Sequence, residues 1–401
     1  MNSIHSSCEK DCAWFLHEFG TLAPRMLRKK VAMPKSAPPF SPALTGVIQP
    51  VRIGFIPLVD CAPLLVAEEK GLFQKHGVKV ELSCEVGWAT IREKLLYGQI
   101  DAAHAIAGLA LAMRLGLSTP PCRVVAPFVF NLHGDAITLS RDLWNRGVRD
   151  SATLKKLIRS TPSRRLTFAM VSRYASHHFL LRRWLASGGI HIEQDVRIVS
   201  LPPTQMAANM AAGLIDGYCV GEPWNSTAVE NGVGWVVATS QELAVDHPEK
   251  VLLMNEAFIG QHLDQAQAMT AALKEACLFC DAAEHRSEVV SILTNSGHFI
   301  EGTETLKKSL IGPFDLGTGK SIVAKDFHIF HRREANEPTA ERGRWLLEEF
   351  IAHKLISPAQ RAEATEAMEQ CWTAAALQIS PEKTVTTTPR KLNKRTFTAL
   401  A

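Results

Sequence analysis

Between residues 51 and 106, strand and helix patterns alternate. "VRIGF" (51–55) is a short apolar strand, and "CAPLLVAEEKGLFQKHG" (61–77) reads as a helix closed by Gly77. "VKVELSCE" (78–85) alternates Val78, Val80, Leu82 and Cys84, the period of a half-buried strand. A helix is expected from Thr90 and a further strand near 101–106. A β-α-β-α-β run of this kind predicts an α/β fold with a mainly parallel sheet.

A second run follows. "RLTFAMVS" (165–172) is a strand, and "SHHFLLRRWLASGG" (176–189) is a helix with Ser176 as N-cap and Gly188-Gly189 as its stop. "DVRIVSL" is the next strand, "PTQMAANMAAGL" a helix capped by Thr204, and "DGYCVGEPW" a strand entering a turn. Open α/β sheets bind ligands beyond the C-terminal ends of their strands. That singles out the turn "GWAT" and the helix starts at Ser176 and Gly221. After residue 255 the pattern is mainly helical.

The chain has 401 residues, 46% hydrophobic and 21% charged, enough for two lobes with sizeable cores. A net charge of +4 is too small to argue for nucleic-acid binding. The nine cysteines are an odd number scattered through the chain, so reduced thiols and a reducing compartment are expected. The first twenty residues lack a basic segment followed by an apolar run, and no stretch approaches the ~18 apolar residues of a membrane span. The expectation is therefore a cytoplasmic protein without a transmembrane segment. The expected organisation is an N-terminal extension and linker (1–50), a first part of lobe 1 (51–140), lobe 2 (141–250), a return to lobe 1 with C-terminal helices (251–375), and a flexible tail (376–401).

Several residues invite a chemical reading, each beside a plainer one. Thr90 and Glu93 have capping-box spacing. Trp88 then sits just before a helix mouth, where free N–H groups favour an anion, or it simply packs in a core. His177 either caps its helix toward solvent or donates to a bound anion. Gly221, in "VGEPWN", permits close backbone approach or an unusual φ, or marks an ordinary turn. Lys250 lies at the edge of a strand, where most lysines face water. The adjacent His177 and His178 do not suit one metal. No G-x-S-x-G, P-loop or H-E-x-x-H motif occurs.

Taken together, "VRIGFIPLVDCAPLLVAEEKGLFQKHGVKVEL", "GWATIREKLLYGQIDAAHA", "NLHGDAITLS", "SHHFLLRRWLASGGI", "PPTQMAANMAAGLIDGYCVGEPWN" and "DHPEKVLLM" resemble the nitrate- and bicarbonate-binding proteins of ABC importers. They equally resemble the related cytoplasmic nitrate/nitrite sensors, the NasS-like proteins. The resemblance covers about residues 51–350. It implies a periplasmic-binding-protein type II fold, with two α/β lobes joined by a hinge and closing on a small oxyanion. The family's nitrate contacts fall on Trp88, His177, Gly221 and Lys250, with Thr90 near the first. A lysine at position 250, where the bicarbonate-binding relatives carry a carboxylate, implies nitrate or nitrite bound without a companion cation. Asp135 departs from the pattern, standing where the nitrate importers have an uncharged amide. A carboxylate there repels nitrate unless it is protonated, paired with Lys250 or His177, or turned away.

Without an evident export signal, the resemblance points to the sensor branch. Such a sensor holds an RNA-binding antiterminator of the ANTAR class and releases it when nitrate or nitrite closes the cleft. The chain would then be no enzyme, use no cofactor and make no direct contact with nucleic acid. Two other readings stand beside it: the substrate-binding protein of a nitrate/nitrite importer, and a cytoplasmic enzyme on the same fold, like the thiamine-pyrimidine synthases. The latter use a cysteine-rich motif that this sequence lacks. Replacing Lys250 with alanine is expected to abolish anion binding with the fold intact.

Overall fold

The structure is a computed structural model that describes residues 49–377 apart from residue 324. Almost all of the N-terminal extension and linker and nearly all of the C-terminal tail lie outside the described residues.

Among the described residues, eleven strands carry the two main sheets. The first contains β1 (Val51–Phe55), β2 (Val80–Cys84), β3 (Ala102–Ile106), β4 (Val124–His133) and β10 (Pro248–Asn255). The second contains β5 (Asp135–Ser140), β6 (Leu166–Met170), β7 (Val196–Ser200), β8 (Gly217–Gly221) and β9 (Gly234–Thr239), in the order β7-β6-β8-β5-β9. A small ribbon pairs β11 (Phe314–Asp315) with β12 (Ser321–Ile322), and β13 (His328–Ile329) extends the first sheet to the order β13-β4-β10-β3-β1-β2. The two expected β-α-β-α-β runs are β1–β3 and β6–β8, and both are parallel as read.

The sheets as wholes are mixed, which corrects the expectation of a mainly parallel arrangement. β10 runs antiparallel to both β3 and β4, and β5 runs antiparallel to both β8 and β9. The reason is connectivity. The chain leaves the first sheet along β4, enters the second through β5, and returns along β10, so the crossing strands run against the parallel halves. At the first crossing, Gly134 takes a φ of 102°, which a side chain would strain, and a Cβ there would meet His328 at 2.6 Å.

Each sheet buries its apolar faces against helices. Phe55, Val125, Leu252 and Met254 join Met269, Leu273 and Ala276 of the long helix Leu263–Asp281. Ile137, Leu139, Phe168 and Cys219 pack with Leu181 and Trp184 of the helix Ser176–Ser187. Burial of this kind contributes roughly 1.5–3 kcal/mol for each large side chain. Among the described residues, no helix is long and apolar enough to cross a membrane.

Three expected helix starts move. The helix expected from Thr90 spans Trp88–Leu96, with extended Gly87 as N-cap and no side-chain cap. Trp88 is therefore the first helical residue, and Thr90 cannot close a capping box because it is already inside the first turn. Ser176 is likewise helical, and its hydroxyl donates across the lobes to the Pro248 carbonyl (2.9 Å) instead of capping. Thr204 sits in a short 3-10 turn, Pro203–Gln205, that no side chain caps. In each case the local cap signal yields to a tertiary contact or to a tighter first turn.

Candidate functional site

The two crossings set the site. Asp135 begins β5, immediately after the chain passes from the first sheet, and Glu249 and Lys250 begin β10, where the chain returns. Residues following the parallel strands meet them there. Asp60 follows β1, Trp88 follows β2, His177 follows β6, and Glu222 follows β8, so the ends of both sheets face one buried cluster. The backbone N–H of Val59 donates to the Glu222 carbonyl (2.8 Å), tying the first lobe to the second beside it.

Glu249 and Lys250 are adjacent, so a regular strand would point them to opposite faces. The pairing of β10 with β4 shifts register on both sides of Lys250. That irregularity lets both side chains reach the same cluster. The Lys250 ammonium donates to Asp60 Oδ2 at 2.7 Å and to Glu249 Oε1 at 2.9 Å, and lies 5.5 Å from the Trp88 ring. His177 Nδ1 is 2.9 Å from Glu249 Oε1 and 3.4 Å from Asp135 Oδ1. His104 Nε2 approaches Asp60 Oδ1 at 3.3 Å. All these groups are fully or almost fully buried.

Electrostatics follow from that burial. Burial disfavours the Lys250 charge, but Asp60, Glu249 and Asp135 outweigh it and hold the ammonium's pKa above the usual lysine value. Asp135 and Glu249 share one environment and split it. Burial and the neighbouring charge of Glu249 push Asp135 well above the usual carboxylate range, against the pull of His177 and Lys250. Burial acts the same way on Glu249, but Lys250 and His177 overcome it and hold Glu249 well below that range. Glu222 is pushed up to about 7 by burial. Burial lowers His104 and His328 to about 4, and it lowers His247 as well.

Many polar atoms here have no hydrogen-bond partner among the described residues: Trp88 Nε1, His177 Nε2, both Asp135 oxygens, Asp60 Oδ1, Glu222 Oε1, Glu249 Oε2 and His247 Nε2. Buried polar groups are ordinarily paired, so such a concentration calls for partners such as a bound ion or water.

The structure thus brings Trp88, Asp135, His177, Gly221 and Lys250 together. Gly221 pairs with Asp135 across the β5–β8 ladder and has no left-handed φ, which removes the unusual-φ reading. A Cβ there would lie 3.5 Å from oxygens of both Asp135 and Asp60, an ordinary contact that would fill space between them. Thr90 stands apart, half-buried on the helix turn beyond Trp88. Sequence reasoning missed Asp60, His104, Glu222, His247 and Glu249. "DHPEK" already held two of them beside Lys250, whereas Asp60 and His104 gave no local signal because only the sheet order brings them near.

The NMT1-like family model matches residues 48–294. The chain belongs to the NMT1-like family. Among its relatives, the nitrate import ATP-binding protein NrtC of Synechocystis sp. is 40% identical over 298 residues, which are 74% of this chain and 44% of that protein. The nitrate/nitrite binding protein NrtA of the same organism is 31% identical over 328 residues, covering 78% of this chain and 72% of NrtA. The crystal structure of periplasmic NrtA from Synechocystis superposes with a TM-score of 0.75 at 28% identity, over 82% of this chain and 88% of that one. The alkanesulfonate-binding protein SsuA of Xanthomonas axonopodis pv. citri matches with a TM-score of 0.59 at 17% identity, over 81% of this chain and 96% of SsuA, and shows the fold alone. That fold is the periplasmic-binding-protein type II fold, as the sequence implied. The chain spans less than half the length of the NrtC and CmpC relatives it matches. This NMT1-like chain stands with binding proteins rather than enzymes.

Proposed function

We propose that this chain binds nitrate or nitrite in the buried cluster between its lobes, and that it acts as a cytoplasmic sensor governing an ANTAR-type antiterminator. The observation that carries the oxyanion reading is a set of unpartnered buried groups, Trp88 Nε1 and His177 Nε2, beside a buried lysine. An ammonium has three N–H donors, and Lys250 spends two on Asp60 and Glu249. The third, with the indole N–H, suits a small planar anion. Asp135 need not repel it: the raised pKa favours the neutral acid, which offers an O–H donor instead of a charge. His177 Nδ1 is held by Glu249, which leaves Nε2 for a ligand. Relatives named as nitrate-binding support the choice of anion.

Calorimetric titration with nitrate, nitrite, bicarbonate and chloride tests this reading. Saturable binding of nitrate or nitrite alone is expected, and silence toward both removes the assignment.

The sensor role draws support from the cysteines. The seven in the described residues are all free thiols, as a reducing compartment favours. Its mechanism needs only an anion that prefers the closed arrangement and a partner that prefers the open one. The expected result is capture of the antiterminator without nitrate and its release with nitrate. A second reading, a component of a nitrate importer, is favoured by the 40% identity to NrtC. Fractionation with importer subunits, together with indifference to the antiterminator, would establish that reading instead.

A further inference from the structure

The oxyanion reading gives His247 no role, although it stands beside Asp135 and Glu249. Asp135, His247 and Glu249 each offer a ligand atom, and the three atoms lie within 4.8 Å of one another. His247 Nε2 is 3.9 Å from Asp135 Oδ2 and 3.8 Å from Glu249 Oε2. None of these three atoms has a hydrogen-bond partner among the described residues. All three residues are almost completely buried.

The supports around them fix their orientation. His247 Nδ1 lies 2.8 Å from the Ala244 carbonyl, an acceptor only, so Nδ1 carries the hydrogen and the Nε2 lone pair faces the two carboxylates. The imidazole packs against the rings of His133 and Trp345, with centroids 5.2 and 5.6 Å away. Glu249 is held through Oε1 by Lys250 and His177, which leaves Oε2 for the triad. The Asp135 backbone N–H donates to Ser240 Oγ at 3.2 Å. The imidazole nitrogen and the Glu249 oxygen accept and do not donate, and Asp135 joins them as an acceptor once a bound cation displaces its proton. They suit a cation better than an anion.

We infer that Asp135, His247 and Glu249 form a binding site for a first-row divalent transition ion of the zinc class. One imidazole and two carboxylates are the hard-to-borderline donors such ions take, and three protein ligands leave further positions open. An ion centred among the three atoms would lie about 2.5 Å from each, a few tenths of an ångström from the ~2.0–2.2 Å of zinc–nitrogen and zinc–carboxylate bonds. Small side-chain rotations close that gap. The charge balance agrees. With Asp135 ionised, the three buried carboxylates of Asp60, Asp135 and Glu249 would face one buried lysine, and a divalent ion offsets that excess.

The test uses the full chain, stripped with a chelator and titrated with zinc chloride or cobalt(II) in nitrate-free buffer. One equivalent of metal should bind. The cobalt form should show d–d absorption without the thiolate charge-transfer band that cysteine ligation would give. His247→Gln and Asp135→Asn should each weaken metal binding by at least ~10-fold, with circular dichroism and melting temperature confirming a folded chain. Asp135→Asn keeps the side chain's shape, so it remains informative if the histidine variant does not fold. Absence of stoichiometric uptake, a thiolate band, or unchanged affinity in both variants overturns the site. Nitrate titration of the metal-free chain is read separately, so failure of the metal site and failure of the oxyanion reading remain distinct.

Discussion

At the scale of single residues, Lys250 matters for stability as well as for ligand. Its ammonium joins two buried carboxylates, so removing it strands Asp60 and Glu249 without a cation. Breaking a buried pair from one side costs roughly 3–5 kcal/mol. Lys250→Ala should therefore lower stability by about that amount in chemical denaturation, in contrast to the intact fold expected from the sequence. A loss of nitrate binding in that variant would not by itself locate the anion. Asp135→Asn is the sharper probe. It removes the one ionisable group that departs from the nitrate-binding pattern while preserving shape. Nitrate affinity should change little near neutral pH, because the amide N–H donates where the neutral acid's O–H did, while the same change weakens zinc binding. Calorimetry with each ligand reads both effects, and a tenfold or larger rise in nitrate affinity would show that Asp135 is charged and repels the anion.

At the scale of elements, the contact between lobes rests on close backbone approach. Gly108 precedes the helix Leu109–Arg114 in the first lobe and faces the turn before the helix Ser176–Ser187 in the second. A Cβ at Gly108 would fall 2.2 Å from the Tyr174 carbonyl, which is backbone and cannot swing aside. Tyr174 also reaches back, with its hydroxyl 2.8 Å from Ser118 Oγ and donating to the Leu117 carbonyl at 3.1 Å. Gly108→Ala should therefore hold the lobes apart. If closure is coupled to anion binding, nitrate affinity should drop at least tenfold with little change in the fold of either lobe. Small-angle scattering with and without nitrate checks this: the variant should stay expanded where the natural chain contracts. An unchanged affinity would separate closure from binding.

At the scale of the whole molecule, buried histidines set the acid limit. His104 and His328 are lowered to about 4 and His178 to about 3, chiefly by burial. They are neutral when folded and take a proton near pH 6.5 when unfolded. A depressed histidine thus contributes its full stability above pH 6.5, and that contribution is lost as pH falls toward the folded value. Each such group costs up to about 1.4 kcal/mol per pH unit across that window. Melting temperature should be nearly flat above pH 7 and fall steeply between pH 6 and pH 4.5. A profile flat to pH 4.5 would mean that these rings are hydrated or protonated in the folded chain. The same scale holds the regulatory logic. If the anion favours closure and the partner favours the open form, each must weaken the other by the same factor.

The sequence by itself determined the alternation of strands and helices, because the periods of apolar residues depend only on neighbours a few positions away. It also located the parallel halves β1–β3 and β6–β8, and the family motifs picked out Trp88, His177, Gly221 and Lys250, which the folded chain gathers with Asp135. Helix starts were less legible. Thr90, Ser176 and Thr204 carry the local signature of a cap, yet the folded chain begins its helices elsewhere or spends the hydroxyl on another lobe. Only the tertiary structure decided the antiparallel crossings, the register shift that turns Glu249 and Lys250 to one side, and the meeting of Asp60 and His104 with them. Those groups come from positions 60 and 104, too far from 249 and 250 in sequence for spacing to relate them. The physical reason is that burial fixes their charges: a carboxylate, a lysine and an imidazole change meaning when the strands that carry them close water out.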